Sequence, residues 1–313
     1  VSNGSVASST PKVVVLLATL NGQPFLADQI RSVLEQRDVD VSVVVSDDGS
    51  NDGTWEYLNE LAASDPRIHL LEQIAPSGSH AANFYRLLRD ADLTDVDAIA
   101  FCDQDDLWLP GRLADSAAII MNNRADGVSS DVEAFDESGE VHLVKKSYPQ
   151  RRYDFLFESP GPGATMTLSP RLARLVREEL ESPDSSANQM EFHDWLVYGI
   201  CRAHNWPWVI RDVVTVRYRQ HANNALGANH GVDQGRRRLA LIRQGWHRQQ
   251  AVTLARVARD VDPVHRDQWD KILALLESRQ LRQRLSLARR SAQLRRRPRD
   301  RWVMAVLIVA GLW

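Results

Sequence analysis

Phe101-Cys102-Asp103-Gln104-Asp105-Asp106-Leu107-Trp108 decides how the chain folds. Three carboxylates within four residues follow the apolar run Ala98-Ile99-Ala100-Phe101. The pattern is a buried strand that ends in an acidic tip. Charges this close repel one another at neutral pH, and a divalent cation or a solvated turn among them makes the arrangement tolerable. Leu107-Trp108-Leu109-Pro110-Gly111 then turns the chain toward a helix.

Upstream, the β-branched and aliphatic run KVVVLLATL, Lys12 to Leu20, reads as a strand buried on both faces. Apolar residues at Phe25, Leu26, Ile30, Val33 and Leu34 predict a helix from Phe25 to Gln36. A second strand, Val39 to Val45, ends in Ser46-Asp47-Asp48-Gly49-Ser50-Asn51-Asp52-Gly53-Thr54. Trp55 to Ala63 is the next helix, with Thr54 or Asp52 near its cap. Ile68 to Leu71 makes a third strand, and Ser77-Gly78-Ser79 leads into a helix through Asn83, Leu87 and Leu88. This alternation predicts an α/β fold, an open, mostly parallel sheet with helices on both faces. Such sheets hold ligands beyond the carboxyl ends of their strands. Those ends carry Thr19-Leu20-Asn21, Asp47-Asp48-Gly49-Ser50 and Asp103-Gln104-Asp105, which should converge on one crevice. No Walker lysine and no GxGxxG is present, which argues against a P-loop ATPase and an ordinary dinucleotide fold. Asp-Asp-Gly-Ser still suits a nucleotide: a carboxylate accepts from base N–H or ribose hydroxyl, and Gly allows close approach.

At 313 residues, 43% hydrophobic and 25% charged, the chain has the composition of a folded soluble protein. Two cysteines, Cys102 and Cys201, cannot make a disulfide framework, and without CxxC spacing a zinc-thiolate site is not expected. This fits a reducing compartment. The net charge of −3 hides an asymmetry. Residues 1–232 hold 19 Lys+Arg and 34 Asp+Glu, and residues 233–313 hold 19 and 7. A basic tail on an acidic body implies an anionic partner for the tail, nucleic acid or anionic lipid. The tail has few stacking aromatics, which argues for lipid and against nucleic acid. Residues 1–10 are small and polar, so they are not expected to be a secretory leader. No stretch reaches the roughly 20 apolar residues of a membrane span.

Three of these stretches, ATLNGQPFLADQIRSVLEQ, VVVSDDGSNDGTWEYL and FCDQDDLWLPGRL, resemble the nucleotide-binding half of family-2 glycosyltransferases of the GT-A fold. The Asp-Gln-Asp-Asp-x-Trp form is most similar to bacterial dTDP-rhamnose-dependent rhamnosyltransferases. Glu191-Phe192-His193-Asp194-Trp195-Leu196 and Tyr218-Arg219-Gln220-His221-Ala222-Asn223-Asn224 agree with that subgroup. The resemblance covers about residues 12–226. It implies that Thr19, Asn21, Asp47, Asp48 and Ser50 hold base and ribose. Asn83 would sit near the nucleotide, with helix capping as its alternative. Asp103-Gln104-Asp105 matches the DxD motif, so Asp103 and Asp105 would meet the ribose and a Mn²⁺ or Mg²⁺ ion bridging the donor diphosphate. Such ions prefer hard oxygen ligands and neutralise the leaving group as Lewis acids. His221 could add a ligand, favouring Mn²⁺. Asp106 would orient the tip or touch the sugar.

Residues 127–232 are less regular. Val128 to Phe135 reads as a strand, and Gly161-Pro162-Gly163 as a loop entering another. The resemblance places Gly163 near donor sugar and acceptor. His193-Asp194-Trp195 opens an apolar helix, where Asp194 is either an N-cap or, by the same resemblance, the general base of an inverting transfer. Trp108 and Trp195, with His193 beside them, are either a sugar-binding floor or core. The expected organisation is a tail at 1–11, a GT-A domain at 12–232, a basic helical extension at 233–301 and an apolar segment at 302–313. Helical patterns run over Arg236–Val261 and Trp269–Leu294. Arg289-Arg290, Arg295-Arg296-Arg297 and Arg299 precede the Trp-flanked run 302–313. That is the pattern of a monotopic anchor on an anionic leaflet, or of a packing helix.

The expected activity is inverting, metal-dependent transfer of a sugar, L-rhamnose from dTDP-β-L-rhamnose, to a glycan or lipid-linked acceptor in cell-envelope polysaccharide synthesis. The expected location is the cytoplasmic face of the membrane. Alternatives are another donor (UDP-galactofuranose, UDP-glucose or a UDP-N-acetylhexosamine) or a non-catalytic nucleotide-sugar binding module. A nucleotidyltransferase is disfavoured because Leu20-Asn21-Gly22-Gln23-Pro24 is not a Gly-rich basic loop.

Overall fold

Period-two alternation in the first strand sorts its side chains between two cores. In the computed structural model, which describes residues 10–136, 139–220 and 244–313, β1 (Lys12–Thr19) is buried from Val13 onward. Val13, Val15 and Leu17 enter one core; Val14, Leu16 and Ala18 enter the other. The helices and strands that follow keep this division. α1 (Gln23–Leu34) opens with Pro at its first turn and leads to β2 (Asp40–Asp47). Then come α2 (Thr54–Ser64), β3 (Ile68–Leu70), α3 (His80–Asp90) and β4 (Ala98–Cys102). Ser79 caps α3 by accepting from the Ala82 amide. β5 (Leu107–Trp108) and α4 (Arg112–Met121) follow the acidic tip. The second half contributes β6 (Gly127–Phe135), β7 (Val141–Val144), β8 (Thr167–Leu168), α5 (Pro170–Glu181), α6 (His193–Ala203) and β9 (Trp208–Arg219).

Among the described residues the strands form one sheet in the order β3-β2-β1-β4-β8-β6-β9-β5, with β7 paired to β6. β1 runs parallel to β2 on one side and to β4 on the other. The chain order therefore reverses about β1, which opens a crevice at its carboxyl end. β8 pairs antiparallel to both β4 and β6 and ends the parallel half.

The tail is helical and closes over the same core. Its helices are α7 (Trp246–Val261), α8 (Arg266–Glu277), α9 (Leu281–Ala288), α10 (Ser291–Leu294) and α11 (Pro298–Ala310). Leu254, Leu276, Met304, Ile308 and Trp313 join the core that holds Phe84, Phe101 and Tyr198. The helix expected over Trp269–Leu294 is broken after Glu277. Arg248 of α7 donates to the carbonyls of Leu276 (2.6 Å) and Ser278 (2.8 Å), satisfying the helix end there. The boundary expected at 232/233 lies outside the described residues. No helix among the described residues is long and apolar enough to cross a membrane.

Candidate functional site

Two cavities meet at the acidic tip. The smaller, about 410 Å³, is lined by Thr19, Asn21, Asp48, Asn83, Asp103 and Asp105, among others. The larger, about 640 Å³, is lined by Asp103, Gly163, His193 and Asp194, together with Lys146 and Arg295–Arg297. His80, Asp103 and Tyr218 belong to both.

The crowded carboxylates of the tip are separated by burial and pairing. Asp106 is turned inward, 1% exposed, and its Oδ1 accepts from the Arg219 amide at 3.0 Å. Burial, then the charges of Asp105 and Asp103, push its pKa well up. Asp106 lines neither cavity, so its expected sugar contact is corrected: it ties the tip to the end of β9. Asp103 receives His80 Nε2 at 3.0 Å. Burial works against the Asp103 anion, but the hydrogen bond and charge of His80 outweigh it and lower its pKa. Gln104 is more than a spacer. Its Oε1 accepts from Thr19 Oγ1 and the Leu20 amide, both at 2.8 Å, and locks the tip to the end of β1.

The Asp-Gly turn after β2 is built from its own polar groups. Asp47 accepts from the Ser50 hydroxyl and amide and from Gln73. Ser50 Oγ accepts from the Asn21 amide at 2.7 Å. Asp47 and Ser50 therefore shape the crevice rim and are not among its lining residues, whereas Asp48 is. Asn83 is not a cap, the α3 cap being Ser79. Its Nδ2 donates to the carbonyls of Thr19 (3.2 Å) and Ser46 (3.1 Å), tying β1 to β2 beneath the smaller cavity.

α6 starts at the larger cavity. Its N-cap is Phe192, not Asp194. Asp194 stands in the first turn, with Oδ1 accepting from the Trp195 amide at 2.8 Å. Burial lifts its pKa to about 6, against the Ser159 hydroxyl and the Trp195 amide, which favour the anion. A carboxylate poised there can take a proton near neutral pH. His193 is 3% exposed and stacks on Phe84 at 3.8 Å. Burial, with the nearby His80, drops its pKa to about 3, so it is neutral.

The two tryptophans are core, not a floor for a sugar. Trp195 is 5% exposed, and its Nε1 donates to the Phe155 carbonyl at 2.6 Å. Trp108 is 4% exposed, with the Arg112 guanidinium 3.5 Å from its ring centre. Neither lines a cavity. His221 lies outside the described residues. Among the described residues no three His, Cys, Asp or Glu are grouped to hold a metal, so Asp103 and Asp105 are the oxygen donors the tip offers. His80 escaped the sequence reading, although Ser77-Gly78-Ser79 marks it as the first residue of a capped helix. Lys146 was not singled out by the sequence, and neither was the place of Arg295–Arg297 beside it in the larger cavity, because their meeting depends on distant packing.

The fold and crevice are those of a GT-A glycosyltransferase. The structure superposes on S. aureus TarS residues 1–349 in complex with UDP-GlcNAc with a TM-score of 0.59 at 16% identity, covering 95% of this chain and 81% of that one. A mannosyltransferase from Pyrobaculum calidifontis, in complex with GDP-Man and Mn²⁺, matches with a TM-score of 0.52 at 18% identity, covering 97% and 86%. In sequence, residues 14–175 match the family model for glycosyl transferase family 2. The dTDP-rhamnosyl transferase RfbG of Shigella flexneri is 35% identical over 245 residues, 78% of this chain and 85% of the relative. The chain belongs to glycosyl transferase family 2 and is a glycosyltransferase.

Proposed function

We propose that the protein transfers L-rhamnose from dTDP-β-L-rhamnose, with inversion, to a glycan or lipid-linked acceptor in cell-envelope polysaccharide synthesis. One observation carries the mechanism: Asp103, directly after β4, and Asp194, in the first turn of α6, line the same cavity. The donor lies in the smaller cavity, its base and ribose against Thr19, Asn21, Asp48 and Asp103. The acceptor hydroxyl enters the larger cavity beside Asp194. As its oxygen attacks C1 of the sugar, Asp194 takes the proton, the glycosidic C–O bond breaks, and the nucleoside diphosphate leaves with the electron pair. A Mn²⁺ or Mg²⁺ ion at Asp103 and Asp105 would supply charge neutralisation for that leaving group. Two carboxylates, one held ionised by His80, suit a hard cation that draws its other ligands from diphosphate and water. Asp194→Asn should abolish transfer while dTDP still binds; full activity in that variant removes Asp194 from the mechanism.

Similarity to RfbG supports the rhamnosyl donor. A second reading, the same mechanism with another nucleotide sugar, has support from solved relatives in complex with UDP-GlcNAc and GDP-Man. Product mass after incubation with each donor separates the two.

The proposed organisation is a GT-A domain ending near residue 232, with the tail helices docked on it and α11 as a membrane-docking face at the cytoplasmic side. α11 buries Met304 and Ile308 and exposes Trp302 (78%), Val303 (50%) and Val306 (64%). A basic start and an apolar outer face suit an interfacial helix on anionic lipid. The expected leaflet contact by the whole Arg295–Arg297 cluster is corrected by packing: Arg296 is 2% exposed and folded inward.

A further inference from the structure

The larger cavity has a basic wall that the transfer chemistry above does not use. Arg296 lines it while 2% exposed. Its backbone amide donates to Glu158 Oε1 at 2.6 Å, Nη2 donates to the Ser159 carbonyl, and Nη1 has no partner. Arg295 beside it donates to the Phe157 carbonyl at 2.7 Å and lies 3.4 Å from Asp300 and 3.6 Å from Glu158. Lys146 approaches from the segment after β7, its amide pinned by Asp131 Oδ1 at 2.5 Å. Among the described residues its ammonium has no carboxylate within ion-pair distance. Burial, with the charges of Arg296 and Arg295, depresses the Lys146 pKa against the opposing pull of Glu158 and Asp194. Arg297 is the N-cap of α11 and makes no side-chain cap; Pro298 has no amide hydrogen, and the Asp300 and Arg301 amides donate to the Arg297 carbonyl at 3.1 and 3.3 Å, which leaves the Arg299 amide. Four cations (Lys146, Arg295, Arg296, Arg297) therefore share Glu158 and Asp300 of the wall and Asp154 behind it, which lies 3.6 Å from Arg296 Nε and is also paired with Arg202.

We infer that this wall is a subsite for a phosphate or diphosphate group on the acceptor. The inference rests on the proposed donor placement, which puts the donor diphosphate at Asp103 and Asp105, where the two cavities meet. A second anion-binding surface is then left for the acceptor, beside Asp194. A buried, partly unpartnered guanidinium and a first-turn helix amide, here that of Arg299, are groups that recognise phosphate oxygens. The phosphate could belong to a polyprenyl-linked saccharide or to a soluble glycosyl phosphate. The exposed apolar face of α11 starts within five residues of Arg297, so a lipid-borne phosphate could enter from the membrane surface.

The test measures inorganic phosphate binding by ³¹P line broadening, with and without saturating dTDP and Mg²⁺, in wild type, Lys146→Gln and Arg297→Gln. Calorimetry follows dTDP in the same proteins. Phosphate should bind whether or not dTDP is present, and each substitution should weaken it at least about tenfold, leaving dTDP affinity within about twofold. Phosphate displaced by dTDP, or bound equally by all three proteins, overturns the subsite. If dTDP itself does not bind, the donor reading fails, and the variants still decide whether the wall holds phosphate. Flotation with phosphatidylcholine vesicles, with and without polyprenyl phosphate, identifies the source. Stronger, Lys146-dependent retention by polyprenyl phosphate marks a lipid-borne group; equal retention with intact phosphate binding marks a soluble one.

Discussion

A methyl group at Gly163 would overlap Nε2 of His193. The glycine thereby lets the loop before β8 press against the start of α6, holding His193 on Phe84 and Asp194 at the cavity. Gly163→Ala should cost about 1–3 kcal/mol of stability, as overpacking does, and lower kcat more than tenfold while dTDP affinity stays unchanged. Thermal melts, kinetics and calorimetry check this. Wild-type melting and turnover would show that the close approach is not needed.

Asp194 has an ionised form that burial disfavours. Its pKa in the fold, about 6, lies above the ordinary 3.8. A raised carboxyl pKa favours folding below the unfolded pKa, and that contribution is lost as pH rises through 6. At pH 7.5 the ionised group therefore costs about 1–3 kcal/mol. Asp194→Asn should melt at a higher temperature than wild type at pH 7.5, with the gap closing near pH 4, while transfer is lost. A lower melting temperature at pH 7.5 would make Asp194 a structural helix residue.

The same shift fixes an acid limb. As base, Asp194 must be ionised, so kcat/KM should fall about tenfold per pH unit below about 6. A profile flat down to pH 5 removes Asp194 as the rate-determining base.

Trp302 and Val306 share the exposed face of α11. Trp302→Glu/Val306→Glu should release the protein from vesicles containing anionic lipid, leaving its melting temperature within about 2 °C and its dTDP affinity unchanged. Equal vesicle binding by the variant would assign that face another role.

Much of the fold was legible because β1, β2 and β4 are continuous apolar runs with polar carboxyl ends. The location of Asp103 and Asp105 at the crevice was legible because acidic residues at a strand end stand out, and that of Asp194 through the family resemblance; all three line the two cavities. The tryptophans misled because a half-apolar ring fits a core and a sugar platform equally well, and only the Trp195 hydrogen bond to Phe155 and the Trp108 stack on Arg112 separate these roles. The Arg295–Arg297 cluster was visible, but not its inward turn, since Arg295 reaches Phe157 across 138 residues of chain. Asp106 looked like its neighbours until the Arg219 amide, 113 residues away, was seen to hold it inside.

The most direct test of the account is a thermal-shift titration with dTDP, UDP and their sugars, each with Mn²⁺ or Mg²⁺. Metal-dependent stabilisation by dTDP-rhamnose and dTDP, lost in Asp103→Asn and Asp105→Asn, is the expected result. No stabilisation by any dTDP or UDP species would contradict the proposed donor site.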